Sequence, residues 1–220
     1  GAESSGESAS KSEIDIPYAQ KRLLKALLAT GKPVVLVLFN GRPLTLSWES
    51  ENVPAILDVW FAGSEAGDAI ADALLGKVNP SGKLSMSFPR NVGQIPVYYN
   101  HKNTGRPLTG KWFAKFQSNY IDVPNDPLYP FGYGLSYTQF EYGDLNTSGT
   151  VFKGNQKLNA SITVKNTGKL TGKEVVQLYI RDMVGSYTRP VKELKGFEMV
   201  TLKPYESKVV SFTVDAKMLA

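Results

Sequence analysis

The chain of 220 residues has no cysteine and a single histidine, His101. Disulfides and thiolate metal sites are excluded, and one imidazole is too few for the usual zinc site. The missing cysteines say little about compartment, because large exported proteins fold without disulfides. No apolar run reaches the ~20 residues needed to cross a bilayer. The opening GAESSGESASKSE is polar and acidic and lacks the apolar centre of a secretion leader. Neither G-x-S-x-G nor G-x-x-x-x-G-K-[ST] occurs, so a serine-hydrolase elbow and a phosphate-cradling loop are both missing. The net charge of +5 is mild and spread along the chain, without the clustered basic stripe of a nucleic-acid binder. Nothing implies a cofactor or a metal.

What is present is a chain with two grammars. Hydrophobic residues make up 42% and charged residues 20%, enough apolar content to bury a core. Pro17–Thr30 predicts a first helix, with Leu23, Leu24, Leu27 and Leu28 as the apolar stripe and Lys21, Arg22 and Lys25 on the wet face. Pro33–Phe39 and Ala55–Phe61 are continuous apolar runs, as in strands of a parallel sheet buried on both faces. Leu44, Leu46 and Trp48 suggest a short strand between them. A helix follows Ser64, with Ile70, Ala71, Leu74 and Leu75 as its apolar face and Gly76 as its stop. Leu84, Met86 and Phe88 then alternate with serines, the period of a return strand. Together these predict an α/β layered domain over residues 1–140. Its ligands belong beyond the C-terminal strand ends, at Asn40–Arg42 and Ala62–Glu65. Residues 91–127 form a long loop rich in proline, glycine and aromatics, long enough to serve as a lid or binding loop. From Glu141 the pattern becomes all-β. Leu158, Ala160, Ile162 and Val164 alternate, and three further runs end at Val214, which predicts an antiparallel sandwich over 141–220.

Several stretches are also familiar as words. WFAGSEAGDAIADALLGKVNPSGKLSMSFPRNVGQIPVYYN and LYPFGYGLSYTQF resemble signature runs in the C-terminal half of glycoside hydrolase family 3, the β-glucosidase group. NTGKLTGKEVVQLYIRD and SYTRPVKELKGFEMVTLKPYES resemble the fibronectin type III-like module that ends many of its members. The resemblance covers nearly the whole chain. It implies a partial α/β sandwich domain, mostly parallel with flanking helices, followed by an incomplete fibronectin-like β-sandwich. It also implies a (β/α)8 barrel outside this chain, with an aspartate nucleophile on it, and a periplasmic or secreted location. The expected partners are a β-glucoside or oligosaccharide and the barrel, with a homodimer in view and neither nucleic acid nor membrane.

The family's acid/base loop is similar to Ser5-Gly6-Glu7-Ser8-Ala9-Ser10-Lys11. The resemblance therefore assigns Glu7 as acid/base, with Glu3 as second choice. Lys11 departs from the usual arginine. The 91–127 loop offers His101, Arg106 and Trp112 as substrate-binding residues. Asp58, Glu65, Asp68 and Asp72 read as structural or solvated acids in their strand and helix settings. With no nucleophile motif in the chain, the expectation is that it is inactive alone and completes a cleft built with the barrel. The alternative is a non-catalytic carbohydrate-binding or dimerisation module, which saturable binding of cellobiose would reveal.

Overall fold

The computed structural model describes residues 10–110, 113–154 and 156–219. The chain forms two compact units. One comprises Gly1–Ile70, Ser85–Tyr98 and Arg106–Phe131, and the other Ala71–Leu84, Tyr99–Gly105 and Gly132–Ala220.

In the first unit, α1 (Tyr18–Leu28) follows Pro17, which sits at the N-cap rather than inside the helix. Leu24 is its buried contact. Gly31 closes the turn at φ +70°, a conformation that costs a glycine little. Strand β1 (Val35–Leu38) and strand β2 (Ala55–Asp58) pair in parallel, in register from Val35 opposite Ala55 to Leu38 opposite Asp58. They are half-buried rather than covered on both faces, since among the described residues only these two strands pair here.

Between them the expected strand through Leu44, Leu46 and Trp48 is instead helix α2 (Ser47–Asn52). Alternating Leu and Trp mimicked a strand, but Ser-Trp-Glu-Ser-Glu-Asn has little strand preference, and Ser47 is fixed by donating to the Arg90 carbonyl at 2.8 Å. Leu46 still packs inward, as do Ile14, Ile16, Leu38, Val53 and Phe88. The return strand expected at Leu84–Phe88 forms no ladder. Phe88 makes a single antiparallel bridge to Tyr129, and Ser87 Oγ is used up accepting from the Phe131 amide at 3.2 Å. Helix α3 (Ala66–Leu74) begins in this unit and ends in the other. Its expected apolar face is not covered: Leu74 and Leu75 are exposed.

The second unit carries the antiparallel sheets. Strands β3 (Phe140–Tyr142) and β4 (Asn146–Thr147) both pair with β5 (Leu158–Asn166), whose other edge takes β8 (Ser207–Val214). Strand β6 (Gly172–Ile180) pairs with β7 (Glu193–Leu202), with a bulge at Leu178/Tyr179. Val164, Val176, Val200, Leu202 and Val210 form the core, ringed by Phe140, Ile162 and Phe212. The period-2 alternation places every one of these side chains inward. Gly196 suits the packing, because a Cβ there would stand 3.1 Å from the Phe212 ring, which would have to give way by a few tenths of an ångström.

Candidate functional site: the strand ends and the segment leading to helix α1

The first unit collects its unusual chemistry where β1 and β2 end. The Val59 amide extends the ladder by one bond, donating to the Leu38 carbonyl at 3.0 Å. Asp58, the last residue of β2, accepts from the Trp60 amide on Oδ1 at 3.3 Å, while its buried Oδ2 has no hydrogen-bond partner. Burial pushes the Asp58 carboxyl above the usual carboxylate range, against the lowering effect of the Trp60 N–H. Trp60 itself adopts φ +48°, a strained conformation for so large a residue, held by its ring lying 5.7 Å from that of buried Phe88. Phe61 is then 83% exposed.

The loop after β1 is built to match. Asn40 is buried, and its Nδ2 donates to the Arg42 carbonyl at 2.9 Å, which tightens the turn. Its Oδ1, like Asp58 Oδ2, is buried without a partner. The Phe61 ring lies over Gly41, 2.6 Å from where a Cβ would stand, so a larger residue there would push this exposed ring aside. Phe39 is 66% exposed. Two aromatic rings and two unpaired buried oxygens therefore sit on adjacent loops at the C-terminal strand ends, the usual ligand position of an α/β sheet.

Arg42 links this corner to the start of the described chain, its Nη1 donating to Ser10 Oγ at 2.7 Å. Further on, the Thr45 amide donates to the Ile14 carbonyl at 3.0 Å, and Ile14 and Ile16 are buried. Lys21 then reaches back from α1. Its Nζ lies 2.9 and 3.1 Å from the two oxygens of Asp15 and 3.2 Å from Glu49 Oε1 on α2. Glu49 is fully buried, and neither of its oxygens has a directed hydrogen bond, so the Lys21 approach is a charge contact without ideal geometry. Burial alone would lower the Lys21 pKa, but the Asp15 and Glu49 carboxylates outweigh it and hold the ammonium above its ordinary value. Lys21 is therefore not the wet-face residue that helical periodicity implied. Its neighbour Lys25 lies 4.7 Å over the Trp48 ring.

Among the residues singled out from the sequence, Glu3, Glu7 and Trp112 lie outside the described residues. His101 belongs to the second unit, is exposed, and has Nδ1 3.2 Å from the Lys102 carbonyl. Its own carbonyl accepts from Val191 at 2.9 Å. Arg106 belongs to the first unit, is exposed, and is held through its backbone, which accepts from the Ser118 amide at 2.7 Å. Sequence reasoning missed Gln94, which organises much of the long loop. It is buried, accepts from the Arg90 amide at 2.6 Å and donates to the Pro124 and Asp126 carbonyls at 2.7 and 3.3 Å. A glutamine between apolar residues in a proline-rich stretch is the only hint that the sequence offered.

With this geometry in place, comparison with known proteins is informative. Residues 1–137 match the model of the glycosyl hydrolase family 3 C-terminal domain, and residues 174–220 that of the fibronectin type III-like domain. A periplasmic beta-glucosidase from Salmonella typhimurium is 55% identical over 97% of this chain and 28% of its own length. A beta-xylosidase from Formosa agariphila is 47% identical over 94% of this chain and 28% of its own length. Among solved structures, a beta-glucosidase from Listeria innocua in complex with isofagomine superposes with a TM-score of 0.90 at 48% identity, covering 97% of this chain and 30% of that one. The chain thus spans less than a third of the length of these relatives.

Proposed function

Because this chain belongs to glycosyl hydrolase family 3, we propose that it is the part of a retaining β-glucosidase that completes the sugar cleft from the acid/base side. The observation that carries this reading is the 55% identity to a beta-glucosidase sustained over 97% of the chain. In this reading residues 1–140 belong to an α/β sandwich domain with a mostly parallel sheet, and 141–220 to the fibronectin-like module. A carboxylate of a barrel outside this chain attacks the anomeric carbon. Glu7, or failing it Glu3, protonates the leaving oxygen as the glycosidic C–O bond breaks. The same residue then takes a proton from the water that releases the sugar. Such a pair of carboxyls works ~5–5.5 Å apart.

The anchoring of Ser10 by Arg42 supports this assignment, since it ties the chain, three residues after Glu7, to the C-terminal end of β1. The same proposal gives His101, Arg106 and Trp112 substrate-binding roles. A periplasmic or secreted location and a homodimer belong to the same proposal. The 47% identity to a beta-xylosidase favours a second reading of the sugar, with terminal xylose in place of glucose.

The test is made on the full-length protein. Glu7→Gln is expected to lower kcat/KM on a phenyl β-glucoside by ~10²–10⁴-fold. An unchanged rate in Glu7→Gln with a collapse in Glu3→Gln would move the role to Glu3, and no loss in either would refute the assignment. The ratio of rates on matched aryl glucosides and xylosides decides the sugar.

A further inference from the structure

The Asp15–Lys21–Glu49 cluster is not needed to explain the fold, and its composition is costly. Glu49 is 0% exposed, and the ion pair it makes is of a kind that well-packed apolar residues often replace without loss. Something other than stability favours a carboxylate at this place in α2. What Glu49 does is localise an ammonium. A lysine on a helix surface samples many rotamers, and holding it in one costs up to ~2 kcal/mol of side-chain entropy. A second, buried anion fixes Lys21 Nζ at a point where it meets both oxygens of Asp15.

Asp15 lies in the irregular segment between Ser10 and Pro17, which has no helix or strand of its own. That segment is tied at three places: Ser10 to Arg42, the Ile14 backbone to Thr45, and Asp15 to Lys21. Of these, only the tie at Asp15 runs to a charge held by the unit's interior.

We propose that Lys21 is a positioning residue for general acid catalysis: anchored by Glu49, it holds Asp15 and so fixes the segment that follows Glu7 in the sequence. This rests on Glu7 being the acid/base. A proton donor next to a loose segment meets the leaving oxygen in only part of its conformations. The loss falls on substrates whose leaving group must be protonated and spares those whose leaving group departs unaided. A merely structural clamp predicts no such split.

The experiment uses the full-length protein and kcat/KM, which reports the glycosylation step, on cellobiose and on dinitrophenyl β-glucoside. Asp15→Asn removes the charge from the tie at an exposed carboxylate and leaves Lys21 paired with Glu49, so the fold is retained. It is expected to lower the rate on cellobiose by ~10-fold while the dinitrophenyl substrate stays within ~2-fold. Lys21→Arg, which keeps the cation, is expected to stay within ~2-fold of the unmutated protein on both. Glu7→Gln serves as the reference and shows the same split more strongly. If Glu7→Gln splits the substrates and Asp15→Asn lowers both equally or neither, the positioning role is overturned while the acid/base assignment stands. If Glu7→Gln gives no split, the assignment fails and the inference with it.

Discussion

The two units differ in how far their buried polar groups are satisfied. In the second, Asn166 is wholly buried and every bond its side chain can make inward is made. Oδ1 accepts from Thr138 Oγ1 at 2.7 Å and from the Gly168 amide at 3.0 Å, and Nδ2 donates to the Leu170 and Leu202 carbonyls at 2.7 and 3.1 Å. Glu174 in the same unit takes Tyr142 Oη on one oxygen at 2.8 Å and Lys83 Nζ on the other at 3.0 Å. In the first unit, Asn40 Oδ1, both oxygens of Glu49 and Asp58 Oδ2 are buried with no hydrogen-bond partner, and among the described residues no other side-chain oxygen or nitrogen is in that state. A saturated network makes a rigid scaffold, whereas unpaired buried groups persist only where something else requires them. The contrast sets a unit whose buried networks are saturated against one in which Gln94 is satisfied while Asn40, Glu49 and Asp58 each keep a buried oxygen without a hydrogen bond.

The sharpest test of that contrast, and the largest expected effect, is Lys21→Met. It leaves Glu49 buried beside no cation, and breaking a buried pair from one side costs about 3–5 kcal/mol. Adding Glu49→Met should recover most of that loss, since two apolar side chains then replace two charges. Urea midpoints of the two variants measure both effects. Equal destabilisation in the single and double variants would show that the pair is structural packing and not an isolated charge held for a purpose.

Next in size is Asn166→Ala in the saturated unit. It strands the Thr138 hydroxyl, the Gly168 amide and two carbonyls, at about 2–4 kcal/mol. Unlike Lys21→Met, no second substitution at a single site can repair it, because its partners are mostly backbone. A cost below about 1 kcal/mol in urea unfolding would break the comparison from the other side.

How much of this was legible in the sequence follows the same division. The inward face of β5 to β8 was readable because alternation alone sets which residues enter a sandwich core, and Val164, Val200 and Val210 obey it. The parallel pairing of β1 and β2 was readable from two unbroken apolar runs. The site was not. Helical periodicity put Lys21 on the solvent face, and it cannot say that a carboxylate 28 positions later comes back to meet it. Asp58 reads as an ordinary strand-end acid until its burial is seen. Glu7 and Glu3 are proposed through resemblance alone, because a short polar stretch with glutamates has no periodicity to interpret.

The smallest expected effect has the opposite sign and depends on pH. Burial raises the Asp58 pKa in the folded chain above its unfolded value. The folded state therefore binds this proton more tightly, and stability from Asp58 is fully present below the unfolded carboxylate range and is lost as pH rises through the folded value. Above the folded value the unmutated chain carries an ionised, half-buried carboxylate with one unpaired oxygen. Asp58→Asn removes that charge and keeps an oxygen for the Trp60 amide. It is expected to raise the urea midpoint modestly at pH 7, with the gain fading to nothing as pH falls to about 4, where aspartates protonate. A group so close to solvent is partly screened, so the shift is smaller than those of Lys21 or Asn166. A variant less stable than the parent at pH 7 would mean that the Asp58 charge is used by a partner within the fold. The strand ends would then be as well satisfied as the sandwich.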